Sequence, residues 1–310
     1  MSKGHYHFPQ VLLLGNGLNR AAKSDDWKKL IQEIALSKKV IFDGNDGALK
    51  DLPYPLFAVL ATDDQVDRAI CTKPIAFSGI GEDELDQVAQ LYRELLLAGF
   101  DEILTTNYSY EIERVADSRI TQLGKECAHL MCHTNGVSRA ESRYLLHTYN
   151  KVVCNGVQNR VWHIHGEIRK PSSVVLGHYF YANLLSKWQQ FFQRRGNSYE
   201  QQYKEGLPPL NDSWLDAFIL GDVYVLGFGY DFSEFDLWWL LNRKKREKAP
   251  HGKLHFYAPS CGNEAKFMML ETYDAQIESL GFRLPHTDYK SFYEEAIRHI
   301  VSHIRTIKEE

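Results

Sequence analysis

Short, unbroken apolar runs alternate along this chain with stretches whose apolar residues recur at helical spacing. Val11-Leu12-Leu13-Leu14 reads as a fully buried strand, since every position is apolar rather than every second one. Ser24 is placed to cap a helix whose first turn carries Asp25 and Asp26, with Trp27, Leu30, Ile31 and Ile34 on one face. Breakers (Asn45, Gly47, Pro53, Pro55) make residues 41–60 loop-like. Glu84 to Ala98 carries Leu85, Val88, Leu91, Tyr92 and Leu95 at helical spacing, and Gly99 suits the stop. Phe100 to Thr105 is then a second buried strand, which closes a β–α–β crossover.

Ile112, Val115 and Ala116 suggest a further helix, and residues 120–155 read as helical with long turns. Strands are expected at Arg160–His165, Ser173–Leu176, Val223–Gly227 and Lys253–Ala258. Helices are expected at Tyr181–Arg195, up to Leu220, at Phe235–Lys248 and at Phe292–Ile307. This alternation predicts an α/β fold: one Rossmann-like, doubly wound, mostly parallel sheet over residues 1–310, with helical insertions at about 41–95 and 115–155.

Composition narrows the class. Apolar residues make up 44% of the 310 and charged residues 25%, as in an ordinary globular enzyme. Lys plus Arg number 36 against 40 Asp plus Glu, a net charge of −4, so no direct nucleic-acid binding and no attraction to an anionic membrane are expected. No apolar stretch approaches the ~18 residues of a membrane span. Val11–Leu14 is too short for a signal-peptide core, which makes the cytoplasm the expected location. Cys71, Cys127, Cys132, Cys154 and Cys261 are odd in number and lack C-x-x-C spacing. They read as reduced, mostly buried thiols, and no metal is expected.

Polar motifs stand where the buried strands end, and in an open α/β sheet that edge is where ligands bind. Gly15-Asn16-Gly17-Leu18-Asn19 follows the first strand, with glycines that allow a tight turn and a close approach to phosphate. A dinucleotide fingerprint would place a small residue where Arg20 stands, which disfavours hydride transfer. Thr105-Thr106-Asn107-Tyr108 follows the second strand. Asn107 suits either a helix cap or a grip on a ribose hydroxyl or a water. His163-Ile164-His165-Gly166 ends a third strand, where both histidines fall on one side and Gly166 would leave room for a ligand. The basic run Arg243–Arg246 reads as a solvated helix face, and the dense aromatics around Trp188, Phe191-Phe192 and Trp238-Trp239 read mainly as core.

Taken in order, these motifs resemble the sirtuin superfamily, and more closely the divergent bacterial sirtuin-like NAD hydrolases of antiviral defence. Gly15-Asn16-Gly17-Leu18-Asn19 matches the NAD-binding loop, Thr105-Thr106-Asn107-Tyr108-Ser109 the catalytic-Asn motif, and His165-Gly166 the His-Gly of the base. Gly227-Phe228-Gly229-Tyr230 resembles the late glycine loop, with Asp236-Leu237 completing its pattern. The resemblance implies NAD as substrate, with Asn107 and His165 catalytic. Gly15, Asn16, Gly17, Asn19, Thr106, Ser109, Gly227, Gly229 and Tyr230 are implied to line the pocket, and His163 stays open as an alternative base.

Two departures qualify that reading. Ser109 replaces a family Asp, with Glu111 or Glu113 as candidate substitutes, and the paired-cysteine zinc module of deacetylating sirtuins is missing. The resemblance implies NAD glycohydrolysis as an abortive-infection activity, with deacylation, ADP-ribosyl transfer or non-catalytic NAD sensing as alternatives. It also implies control by homo-oligomerisation or by a partner such as a HerA-type ATPase or an Argonaute-like protein.

Overall fold

A computed structural model describes residues 7–22, 55–56, 58–59, 79–118, 120, 131–134, 143–258, 264–278 and 289–309. The helix expected after Ser24, most of the 41–60 stretch, and Cys71, Cys127 and Cys261 lie outside them.

Among the described residues the fold is α/β. Its eight strands are β1 (Gln10–Leu14), β2 (Glu102–Thr105), β3 (Met131–Thr134), β4 (Thr148–Cys154), β5 (Val157–His163), β6 (Asp222–Leu226), β7 (Leu254–Tyr257) and β8 (Ala275–Glu278). They form one sheet in the order β3-β4-β5-β2-β1-β6-β7-β8. Every pairing from β5 across to β8 is parallel, and only β3–β4 and β4–β5 are antiparallel. The mostly parallel, doubly wound sheet expected from the apolar runs is therefore present. All five residues of β1 are buried, as a central strand covered on both faces requires.

Helices α1 (Glu82–Leu97), α2 (Glu111–Ala116), α3 (His178–Arg195), α4 (Ser198–Lys204), α5 (Trp214–Leu220), α6 (Phe235–Lys245), α7 (Glu264–Thr272) and α8 (Tyr289–Glu309) flank the sheet. Helix α1 buries Leu85, Val88, Leu91, Tyr92 and Leu95, the stripe its spacing predicts, and stops where Gly99 takes φ +90°. Helix α5 starts in a capping box between Ser213 and Asp216. Trp188 of α3 and Trp214 of α5 are fully buried and meet edge to face, 5.2 Å between ring centroids.

Three expectations are corrected. Among the described residues of 115–155, where helix was expected, strands β3 and β4 are found after α2; residues 119, 121–130 and 135–142 lie outside the described residues. In β4, Asn150, Val152 and Cys154 are buried in strict alternation, a period of two. Its turn into β5 is Asn155-Gly156, with φ +47° and +84°, the pair of positive angles a two-residue hairpin demands. Ser173–Leu176 is not a strand. A 3₁₀ turn begins at Pro171, and Val174-Val175-Leu176 continues as a buried extended connection whose Val175 N–H donates to the His165 carbonyl (2.8 Å). Finally, Lys244 of the basic run points inward. Its ammonium donates to the carbonyls of Phe218 (3.1 Å), Ile219 (2.9 Å) and Gly221 (2.7 Å), which closes the C-terminal end of α5.

No helix among the described residues is long and apolar enough to cross a membrane.

The turn after β5 yields a stability test. Gly166 has φ +91°, and a Cβ there would lie 2.2 Å from the carbonyl oxygen of Ser173. Left-handed backbone costs ~1–2 kcal/mol in an L-residue and overpacking ~1–3 kcal/mol. Gly166→Ala is expected to lower unfolding free energy by about 2 kcal/mol or more in urea titrations. An unchanged midpoint would contradict the packing described.

Candidate functional site

Strand order places the four polar motifs together. Strands β5, β2, β1 and β6 are adjacent and parallel, so the segments after His163, Thr105, Leu14 and Leu226 leave the sheet at the same edge. The chain runs from β1 to β2 on one side and returns to β6 on the other. The β1–β6 boundary is thus the switch point at which open α/β sheets take ligands. Thr105 pairs with His163 in register, so Asn107 and His165 stand two residues beyond a matched pair on neighbouring strands. Strand spacing there is ~4.8 Å.

The loops are joined by main-chain bonds in strand order. Gly15 N–H donates to Leu226 O (3.0 Å) and Gly17 N–H to Gly227 O (2.7 Å). Thr106 N–H donates to Leu14 O (3.3 Å) and Ile164 N–H to Thr105 O (3.0 Å). The glycines answer to this joining. A Cβ on Gly15 would lie 2.5 Å from Gly227 O, and one on Gly17 would lie 2.6 Å from that atom and 2.4 Å from the Tyr293 hydroxyl. Gly227 itself has φ +67°. The room expected beside Gly166 is filled by the Ser173–Val174 backbone, so that glycine serves the chain's own packing. Among the described residues Gly229 alone of these five faces open space.

Several side chains of the expected pocket are engaged internally. Asn19 is buried, donates to Asn16 Oδ1 (2.7 Å) and accepts from the Tyr92 hydroxyl of α1 (2.6 Å). It anchors the first loop to α1. Tyr230, at φ +46°, is fully buried against Phe228, Trp238 and Phe256. Thr106, Asn107 and Ser109 are nearly buried at 7%, 9% and 6% exposure. Asn107 does not cap α2; Tyr110 holds that position. The Asn107 N–H donates to Thr105 Oγ1 (3.1 Å), and no hydrogen bond engages its side-chain amide among the described residues.

Ser109 has a carboxylate beside it. Its hydroxyl lies 2.7 Å from both oxygens of Glu111, a fully buried group that burial pushes above the usual carboxylate range and that the Ser109 bond pulls back. Of the two candidate substitutes for the family Asp, Glu111 is the one next to Ser109.

Glu113 is turned toward His163, and this separates the two histidines. His163 is held at both nitrogens: Nδ1 lies 2.8 Å from the Asn107 carbonyl and Nε2 2.9 Å from Glu113 Oε1. Burial alone would depress its pKa, but the Glu113 charge and hydrogen bond outweigh that and raise it to about 9. His163 is therefore an imidazolium at neutral pH, with both N–H groups spent on fixing the Asn107 loop. His165 is held at one nitrogen only, Nε2 lying 2.7 Å from Asp236 Oδ2. No hydrogen bond engages its Nδ1 among the described residues, although the ring is buried. Burial lowers the His165 pKa, while Asp236 and Glu234 raise it past the ordinary imidazole value. His165 is the histidine that can exchange a proton with a ligand.

Sequence reasoning did not find the acidic partners as such. Glu234 and Asp236 sit at the entry and first turn of α6, where acidic residues also suit the helix dipole, so the pattern alone does not distinguish the two uses. Ligand atoms of His165, Glu234 and Asp236 lie within 4.8 Å of one another, the one such group among the described residues that could hold a cation. Cys154 is buried and in no disulfide. The chain matches no family model and no curated protein, so the site is read from its geometry.

His163 gives a pH test. Its raised pKa means that the stabilisation from its ion pair is complete below about pH 6.5 and is lost as pH rises through about 9. The difference in unfolding free energy between the wild type and His163→Gln should shrink over that window in denaturant titrations. A constant difference from pH 6 to 9.5 would show that His163 is not charged in the folded protein.

Proposed function

We propose that this chain is an NAD glycohydrolase that cleaves the nicotinamide–ribose bond to give nicotinamide and ADP-ribose. The observation that carries the reading is the placement of Asn107 and a histidine with an unbonded nitrogen, His165, two residues past a paired register position of β2 and β5, on the sheet edge that also holds the switch point. The order of motifs along the sequence supports the same reading. So does Glu111, which puts a carboxyl group beside Ser109 where the resemblance expects an Asp.

Nicotinamide in NAD is already a cationic leaving group, so the site has to orient the ribose, tolerate an oxocarbenium-like transition state and manage one proton. The C1′–N bond breaks with its electron pair going to the nicotinamide nitrogen, and a water oxygen forms the new bond to C1′. Asn107 orients the ribose hydroxyls and the water. His165 accepts the proton that the water gives up, directly or through a ribose hydroxyl, and returns it to solvent. The glycine loops would flank the phosphates, with Gly229 as the open approach. In the cell such an activity has to be restrained, which fits an abortive-infection effector controlled by self-association or by a partner ATPase.

Two variants test the assignment. His165→Ala and Asn107→Ala are each expected to lower NAD consumption ~10²–10⁴-fold with the circular dichroism spectrum kept. Asn107→Ala should melt near wild type, and His165→Ala lower, because Asp236 loses its partner. Chromatographic separation of products should show free ADP-ribose and nicotinamide in equal amounts. If NAD is bound and never consumed, the sensor alternative takes over; if an acyl or ADP-ribosyl acceptor is required, the transferase alternative does.

A further inference from the structure

A general base embedded in protein has to be oriented as well as present, and one carboxylate in this fold is placed to do little else. Asp236 is completely buried in the first turn of α6. Among the described residues its one hydrogen bond runs from His165 Nε2 to Oδ2 (2.7 Å), and its buried Oδ1 has no partner. Burying a carboxylate costs several kcal/mol, and a carboxylate serving the fold normally has both oxygens satisfied. Asp216 of α5 shows what that looks like. Its oxygens take Arg195, the Tyr199 hydroxyl and the main-chain N–H groups of Asp212 and Ser213. Asp236 has only the imidazole.

The surroundings restrict the ring further. Tyr181 of α3 meets His165 edge-on, 5.6 Å between centroids at 76°, and its hydroxyl donates to Glu234 Oε2 (3.3 Å). The Val175 N–H holds the His165 carbonyl, which fixes the backbone beneath the ring. Among the described residues, the charged groups that act on His165 are Asp236 and Glu234, both on the α6 side. Tyr181, Tyr108 and Tyr230, the tyrosines around these two carboxylates, are all kept un-ionised by burial.

We propose that Asp236 is the positioning residue of this site: its carboxylate keeps the His165 proton on Nε2 and so presents a bare Nδ1 to the ligand. Glu234 forms the second acidic wall and turns toward Tyr181. The inference rests on the hydrolase reading for its consequence in turnover, but the tautomer it specifies can be observed without any reaction. An ionised carboxylate only accepts hydrogen bonds, so a nitrogen 2.7 Å from it carries the proton. In Asp236→Asn the amide can donate to Nε2 instead, which would move the proton to Nδ1 and leave no base facing the ligand.

The test uses the full chain with ¹⁵N-labelled histidine, the His165 signals being assigned by their loss in His165→Gln. In the wild type, neutral His165 should appear as the Nε2–H tautomer. In Asp236→Asn it should shift toward Nδ1–H and titrate at lower pH. With NAD, Asp236→Asn should lose ~10²–10⁴-fold in kcat with KM changed less than about threefold, and the acidic limb of the residual activity should move to lower pH. A wild-type spectrum with the proton on Nδ1 overturns the proposal even if the variant fails to fold. Retained kcat with an unmoved pH profile in a folded Asp236→Asn overturns it too. So does a stoichiometric divalent metal in the wild type that Asp236→Asn removes, since Nε2 would then be a ligand. If the wild type consumes no NAD, the hydrolase reading fails, and the tautomer still decides the role of Asp236.

Discussion

Two imidazoles two residues apart at the end of one strand are each taken out of water and each matched to a carboxylate from a different helix. That matching is the constraint on which the site depends. An unpaired charge at this depth would be heavily penalised, so α2 must bring Glu113 to His163 and α6 must bring Asp236 to His165. Those two helices follow β2 and β6, the strands on either side of β1, so both pairs can form only when the sheet is assembled in its observed order. The histidines then diverge in use. One closes both nitrogens and becomes part of the scaffold; the other keeps a nitrogen for chemistry.

Much of this was legible from sequence because parallel strands covered on both faces advertise themselves as unbroken apolar runs. Val11–Leu14, Ile103-Leu104 and Val223–Leu226 are of that kind, and the polar motifs directly after them had to fall at the sheet's C-terminal edge. What escaped was of two sorts. Strand β4 buries alternate residues and β8 is short and only partly buried at the sheet's rim, so neither announces itself as an apolar run. The Asn155-Gly156 turn was the available signal for β4. The acidic partners escaped for a different reason: Glu113 and Asp236 lie on helices, and which face of a short helix meets which histidine is decided by packing across 50 and 71 residues of chain.

A Gly-x-Gly turn after a first strand suggests phosphate, and the absent side chains at Gly15 and Gly17 do permit close approach. Here the body that approaches is the loop after β6, whose Gly227 carbonyl accepts the Gly17 N–H. Loop-to-loop contact and ligand contact make the same demand for a missing Cβ, and sequence alone does not separate them. At Gly15, Gly17 and Gly166 a side chain would collide with the chain's own atoms, while at Gly229 it would meet none.

That interlock has an evolutionary consequence. Any enlargement at Gly17 would have to be met by movement of Gly227 and by loss or displacement of the Tyr293 side chain from α8, three positions separated by most of the chain. In an alignment of relatives, residues 15, 17, 227 and 293 are expected to change as a set or not at all. Drift in this protein should therefore accumulate outside the crevice, while its two rims are inherited together.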